Sequence, residues 1–199
     1  MTGIFLGSFD PPHIGHLSIV SGVLETGLRR VIVVPAYHNP WKPEQTPWEL
    51  RYRMADEAFS GYGNKVLVST IEGSGHILKQ YLKEDEQVDL EDGIPSFLTI
   101  RYFNTLYKEN LRIIVTPETF TEIHKWKNST EVYQNNFILV CPRGQREIQP
   151  QENVYPVLMK NNIEISSTII RNWIKEGKMV NEYLPRYVNE IIKQHNLYE

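Results

Sequence analysis

Two histidines three residues apart, His13 and His16, sit in the stretch GSFDPPHIGHL beside a glycine turn, an acid and two prolines. A turn needs a glycine or a proline and has no use for paired imidazoles. If the stretch opens a helix, both rings project from one face. Gly15 between them adds no side chain and lets a ligand come close to the backbone. The first turn of a helix also carries free N–H groups and a partial positive charge, which together form an anion site. Two imidazoles would add donors to it, and a phosphate is the natural occupant. Zinc is the rival occupant, but no further Cys/His cluster with ligand spacing completes a site, so no metal is assigned to side chains.

A second constellation lies in IEISSTIIRNWI. A strand-like segment turns through Ser166, Ser167 and Thr168 into an apolar-periodic helix, and these hydroxyls are good caps. Arg171 falls one turn inside, on the side that reaches back to the helix start. Its planar fork of donors matches phosphate oxygens. Capping and phosphate binding are compatible roles for this motif.

The elements that must position these groups alternate along the chain. GIFLG reads as a buried strand ending at glycine, and 14–26 as a helix with Leu17, Val20 and Leu24 on one face, closed by Gly27. RRVIVVPA is a second strand, and the proline-rich YHNPWKPEQTP after it is a loop. TPWELRYRMADEAF reads as a helix with Thr46 as N-cap and Pro47 at its first position. KVLVSTIE is a third strand, and LRIIVT, NNFILVCP and VYPVLM are three more. Strands separated by helices predict a parallel sheet covered on both faces, with ligands beyond the carboxyl ends of the strands. The loops GSFDPPH, AYHNPWK and TPETF would then line one crevice. The acidic LKEDEQVDLEDGI reads as a surface insertion. The expected organisation is one α/β domain over 1–199, with a helical C-terminal piece from about 166.

Composition agrees with this. At 199 residues, 41% hydrophobic and 23% charged, the chain can bury a sizeable core. A net charge of -3 gives no basic footprint, so nucleic acid and anionic membrane are not expected partners. The one cysteine, Cys141, forms no intrachain disulfide and fits a reducing cytosol. The apolar run at Ile4 to Leu6 is too short for a signal peptide or membrane span, so the expected location is cytoplasmic.

Together, GSFDPPHIGHL and ISSTIIR resemble the two signatures of the nucleotidylyltransferase superfamily of the H-x-G-H type. The chain is most similar to the bacterial nicotinate-nucleotide adenylyltransferases. EYLPRYVNEIIKQHNLY resembles that family's closing helix and Leu-Tyr, IPSFLTI its P-S-Y-T segment, and LVCPRG its strand followed by an R-P-G-like turn. The resemblance implies a Rossmann-like parallel sheet with helices on both faces. It implies transfer of an adenylyl group from ATP to the phosphate of nicotinate or nicotinamide mononucleotide, releasing pyrophosphate, in NAD biosynthesis. By the same resemblance, Gly7, Ser8, Phe9, His13, Gly15, His16, Ser166, Ser167, Thr168 and Arg171 would bind ATP. His13, His16, Lys42 and Arg171 would act in the transfer. Asp10, Lys42, Ser96, Phe97, Thr99, Trp126 and Lys127 would receive the acceptor. Mg²⁺ would be held mainly by the ATP phosphates. The superfamily often self-associates, which makes a homo-oligomer an expectation.

Several readings stay open at this level. Asp10 either orders its loop or assists Mg²⁺, and Lys42 either neutralises phosphate or is a solvated loop lysine. Phe97 and Trp126 either stack a pyridine ring or are core aromatics. NPWK has Trp41 where the family has histidine, and it resembles equally the N-P-x-K of phosphopantetheine adenylyltransferase. TPETF has Pro117 and Glu118 in place of Gly-x-Asp, and Trp126-Lys127 replaces a W-Y pair. The alternatives are therefore a related enzyme with another phosphorylated acceptor, such as phosphopantetheine, and a non-catalytic nucleotide-binding sensor. His38, His76, His124 and His195 lack a supporting motif and read as structural or surface residues.

Overall fold

The computed structural model describes residues 1–39, 42, 44–90, 93–142, 149–160 and 163–199. β1 (Thr2–Gly7), α1 (Ile14–Glu25), β2 (Arg30–Pro35), α2 (Trp48–Phe59) and β3 (Val66–Val68) form the first half. A short α3 (Gly75–Leu78) leads to α4 (Ser96–Tyr107), β4 (Arg112–Val115), α5 (Pro117–Glu122), α6 (Ser129–Asn135), β5 (Phe137–Val140) and β6 (Val154–Pro156). α7 (Ser167–Lys175) and α8 (Arg186–Gln194) follow. The sheet runs β3-β2-β1-β4-β5-β6, every neighbouring pair parallel. This is the expected Rossmann-like order. The direction of winding reverses between β1 and β4, which opens a crevice at the carboxyl end of β1.

Strand residues are apolar on both faces because both faces are covered. Phe5, Val31, Val33 and Ile114 point into one core with α1, α2, α7 and α8. Their neighbours Ile4, Ile32, Val34, Ile113 and Val115 point into a second core with α4. Alternation within a continuous apolar run is what a two-sided sheet requires.

Four local expectations need correction. The fully buried stripe of α1 is His16, Ile19, Val20 and Val23, with Leu17 and Leu24 at its margins. The helix is rotated so that a histidine, not a leucine, faces inward. α2 starts at Trp48 with Pro47 as its N-cap and no side-chain cap. Thr46 lies one residue ahead of that cap, its backbone held by distant residues: the N–H donates to Asp10 and the carbonyl accepts from Arg51. The third strand stops at Val68, and Ile71–Gly73 turns as a 3-10 segment. Residues 163–166 lie outside the sheet, although Ser166 does cap α7, accepting from the Ile169 N–H at 3.3 Å.

Candidate active site

The loop between β1 and α1 is built on Phe9. Its φ of 50° lies in the left-handed region, uncommon for a bulky residue. That turn drives the ring into the core, 5.3 Å edge-on from Phe5 and 5.0 Å from the ring of His16. Gly7 is needed for it, because a Cβ there would meet the Phe9 ring at 3.1 Å. Phe9 is 1% exposed, so any ligand meets only its backbone.

His13 is the N-cap of α1 and His16 its third residue, and they form a reciprocal capping box. His13 Nδ1 accepts from the Gly15 N–H and His16 Nδ1 accepts from the His13 N–H, each at 3.1 Å. In the neutral form each ring must therefore carry its proton on Nε2, as a donor. The ring centroids are 3.8 Å apart. The amides of the first turn are consumed, which corrects the expectation of free N–H groups. Ile14 donates to Tyr183, Gly15 to the His13 ring and His16 to the His13 carbonyl. His16 is 8% exposed and His13 0%, so His16 is the outer member of the pair.

α7 brings the second motif to the same place. Ser167 Oγ donates to the Pro11 carbonyl at 2.9 Å, and Arg171 Nη1 donates to the Asp10 carbonyl at 2.8 Å. Arg171 Nη2 also reaches Thr168 Oγ1 at 3.3 Å. Lys42 stretches from the loop after β2 to Ser8 Oγ at 3.4 Å. The structure thus assembles Gly7, Ser8, Phe9, Asp10, His13, Gly15, His16, Lys42, Ser166, Ser167, Thr168 and Arg171 around one crevice. Gly15 is tightly placed, since a Cβ would press on the His13 ring at 3.0 Å and on Ile165 at 3.1 Å.

The other predicted acceptor residues form a separate group beside α4 and α6. Phe97 is 1% exposed, packs in the second core and carries the Arg101 guanidinium 5.0 Å above its ring. It is a core aromatic and offers no face to a pyridine. Thr99 is fully buried and gives its hydroxyl to Glu72 at 2.9 Å, so it supports a loop and meets no acceptor. Ser96 opens α4, and Trp126 is half-buried against the same core. Lys127 Nζ donates to the Gln87 carbonyl at 2.6 Å. Trp41 of NPWK and Arg143-Gly144 of LVCPRG lie outside the described residues. The acidic excursion is anchored. Glu86 grips Arg101 through both oxygens and accepts from Asn128, while Arg101 also binds Glu131. Hydrogen bonds from Arg101 hold the Glu86 carboxyl down at about 2.

Two buried residues went unnoticed in the sequence and hold the site loops. Arg51 of α2, 1% exposed, donates to the carbonyls of Ser8, Ala36, Tyr37 and Thr46 at 2.7 to 2.9 Å. One guanidinium therefore ties the loop after β1 to the loop after β2. Burial lowers its pKa, opposed by the nearby Asp10 carboxylate, yet an arginine stays charged. Glu72 accepts the Tyr37 N–H at 2.9 Å, so the backbone of Tyr37 is held from both sides. Burial pushes the Glu72 carboxyl up to about 7. Arg51 had a signal, because it shares a helical stripe with Met54, Ala55 and Ala58. Glu72 had none.

The sequence pattern of the cytidylyltransferase-like family matches residues 4–173, from β1 through the Arg171 turn of α7. The chain belongs to that family. Among relatives, a probable nicotinate-nucleotide adenylyltransferase of Thermotoga sp. (strain RQ2) is 30% identical over 201 residues, covering 96% of this chain and 94% of its own. A protein of the same description from Flavobacterium johnsoniae is 29% identical over 206 residues, covering 99% and 98%. The solved structure of a Plasmodium falciparum nicotinic acid mononucleotide adenylyltransferase, complexed with NaAD, superposes with a TM-score of 0.75 at 16% identity. It covers 99% of this chain and 96% of that one, and at such identity the likeness speaks to the fold. The family fold thus extends over both signature motifs.

Proposed function

We propose that the protein transfers the adenylyl group of ATP to the phosphate of nicotinate mononucleotide, giving the dinucleotide and pyrophosphate in NAD biosynthesis. The observation that carries this is similarity to nicotinate-nucleotide adenylyltransferases over nearly the whole chain, with both phosphate-type motifs intact. A phosphate oxygen of the acceptor attacks the ATP α-phosphorus, the α–β bridging bond breaks, and its electron pair leaves on pyrophosphate. The nucleophile is already anionic and needs no strong base, so catalysis reduces to alignment and charge stabilisation. His16 Nε2–H is the donor aimed at the transferring phosphate, and the His13 N–H fixes the tautomer that makes it one. Arg171 and the Ser167-Thr168 turn serve the leaving phosphates, and Lys42 balances charge from the opposite loop.

Mg²⁺ enters with ATP, as part of the substrate. Among the described residues no group of three or more His, Cys, Asp or Glu could hold a metal. Both Asp10 oxygens already accept bonds, from Tyr198 and from the Thr46 N–H. That supports loop ordering as the role of Asp10. Among the described residues no helix is long and apolar enough to cross a membrane. The buried Cys141 thiol, pushed up to about 12 by burial, is inert. A cytoplasmic location fits both, and self-association remains an expectation of the resemblance, read by light scattering.

Pyrophosphate release with Mg²⁺-ATP and, separately, nicotinate mononucleotide, nicotinamide mononucleotide and phosphopantetheine tests the assignment. Release with nicotinate mononucleotide is expected. Release only with another acceptor would move the substrate assignment, and ATP binding without release would retire the enzyme reading for that of a sensor.

A further inference from the structure

The segment after α8 turns back on itself through two left-handed residues, Asn196 at φ 47° and Tyr198 at φ 68°. Asparagine tolerates that region, whereas a tyrosine there is uncommon and persists only where its surroundings over-determine it. Leu197 packs into the first core and its N–H returns to the Ile192 carbonyl at 3.0 Å, which fixes the turn. The turn aims the Tyr198 phenol into the base of the histidine loop, where its hydroxyl donates to Asp10 Oδ1 at 2.6 Å. The other oxygen of Asp10 accepts the Thr46 N–H at 3.3 Å, and Asp10 is 4% exposed. One carboxylate thus joins the loop after β1, the loop after β2 and the segment after α8. Its own backbone carbonyl is held by Arg171.

We infer that Tyr198 is a positioning residue for phosphate transfer: its hydroxyl, acting through Asp10, sets the loop that places His13 and His16. The inference rests on the proposed function and goes beyond it, because Tyr198 touches no reacting atom. Burial and the adjacent Asp10 carboxylate push the phenol far above its ordinary range, so it remains a donor at any working pH. Only two residues, Pro11 and Pro12, separate Asp10 from His13, and they stiffen the link. A displacement at Asp10 therefore passes to the imidazole pair. A shift of about an ångström in such a pair costs on the order of tenfold to a hundredfold in rate.

The test is Tyr198→Phe, which removes one oxygen and keeps the packing of the ring, compared with Asp10→Asn and the double variant. Turnover is expected to fall roughly tenfold in Tyr198→Phe with the KM for ATP within about twofold, and the double variant to be no slower than Asp10→Asn. In ligand-free protein, the ring ¹⁵N and ¹H resonances of His13 and His16 should move in Tyr198→Phe while those of exposed His124 and His195 stay. Wild-type turnover in Tyr198→Phe, or a loss equal to the loss of folded protein with unmoved imidazole resonances, overturns the inference. If the wild-type protein releases no pyrophosphate with any acceptor, the proposed function fails. The imidazole resonances then decide the positioning role by themselves, moved in its favour and unmoved against it.

Discussion

At the scale of single residues, the histidine pair performs two jobs with the same atoms. Each Nδ1 accepts a backbone N–H, and that acceptance is what leaves the proton of each neutral ring on Nε2, with His16 the outer of the two. His16→Ala removes a cap acceptor and the outer donor together. The cap loss should cost about 1 kcal/mol of stability. Turnover should fall about a hundredfold, by analogy with the loss of one oxyanion donor, with a much smaller rise in KM for ATP. Steady-state kinetics at saturating acceptor read the difference, and wild-type turnover would remove His16 from the transfer step. The pair was legible in the sequence because two imidazoles beside a glycine exceed what a turn requires. The consumption of the Ile14 amide was not legible, since it depends on Tyr183 far along the chain. Phe97 stayed open between two roles for a related reason: an aromatic at the start of a helix looks the same in sequence whether it faces a ligand or a core.

At the scale of elements, the site is held by helices that do not themselves bear the transfer groups. α2 contributes Arg51, and the turn after β3 contributes Glu72, itself held by the Thr99 hydroxyl of α4; Arg51 and Glu72 grip the backbone of Tyr37 from its two sides. Because burial raises the Glu72 carboxyl to about 7, the folded state binds its proton more tightly than the unfolded chain does. Stability from this group is full below the ordinary glutamate range near 4.5 and is lost as pH rises to about 7, on the order of 3 kcal/mol. Glu72→Gln keeps an acceptor and cannot ionise. Its urea midpoint should exceed wild type at pH 8 and lose that advantage at pH 4.5. A variant less stable than wild type at pH 8 would show that the ionised carboxylate, through Arg51, is worth more than its burial costs. The strands and the α1, α2 and α7 helices were readable from apolar runs and periodicity. The displacement of the N-cap of α2 from Thr46 to Pro47 was not, because the backbone of Thr46 is held by residues distant in sequence, Asp10 and Arg51.

At the scale of the whole molecule, a partly buried ion cluster helps fasten the acidic excursion to the domain, where the sequence offered only a charged surface stretch. Arg101 sits between Glu86 of the excursion and Glu131 of α6, with Lys83 on Glu131 as well. Arg101→Met would leave two carboxylates facing each other without their fork. Amide exchange across residues 82–90 should accelerate at least about tenfold while strand amides stay protected. Unchanged exchange would assign the anchoring to apolar contacts of Leu82, Val88 and Leu90 with the second core. The strand order carries a different consequence, one of assembly in time. Gly3 of β1 registers with Val31 on one side and with Arg112 on the other. As the chain leaves the ribosome, β1, β2 and β3 can pair early, while the remaining flank of β1 stays bare until β4 is made. Closing that distant pairing is the slow, entropically costly step, and the bare flank is the part of the nascent protein most open to wrong partners. The paired histidines belong to the half made first, and Arg171 and Tyr198 to the half made last. A nucleotide therefore has no complete cradle to hold until synthesis is nearly finished, and its binding rewards only chains that have completed the sheet.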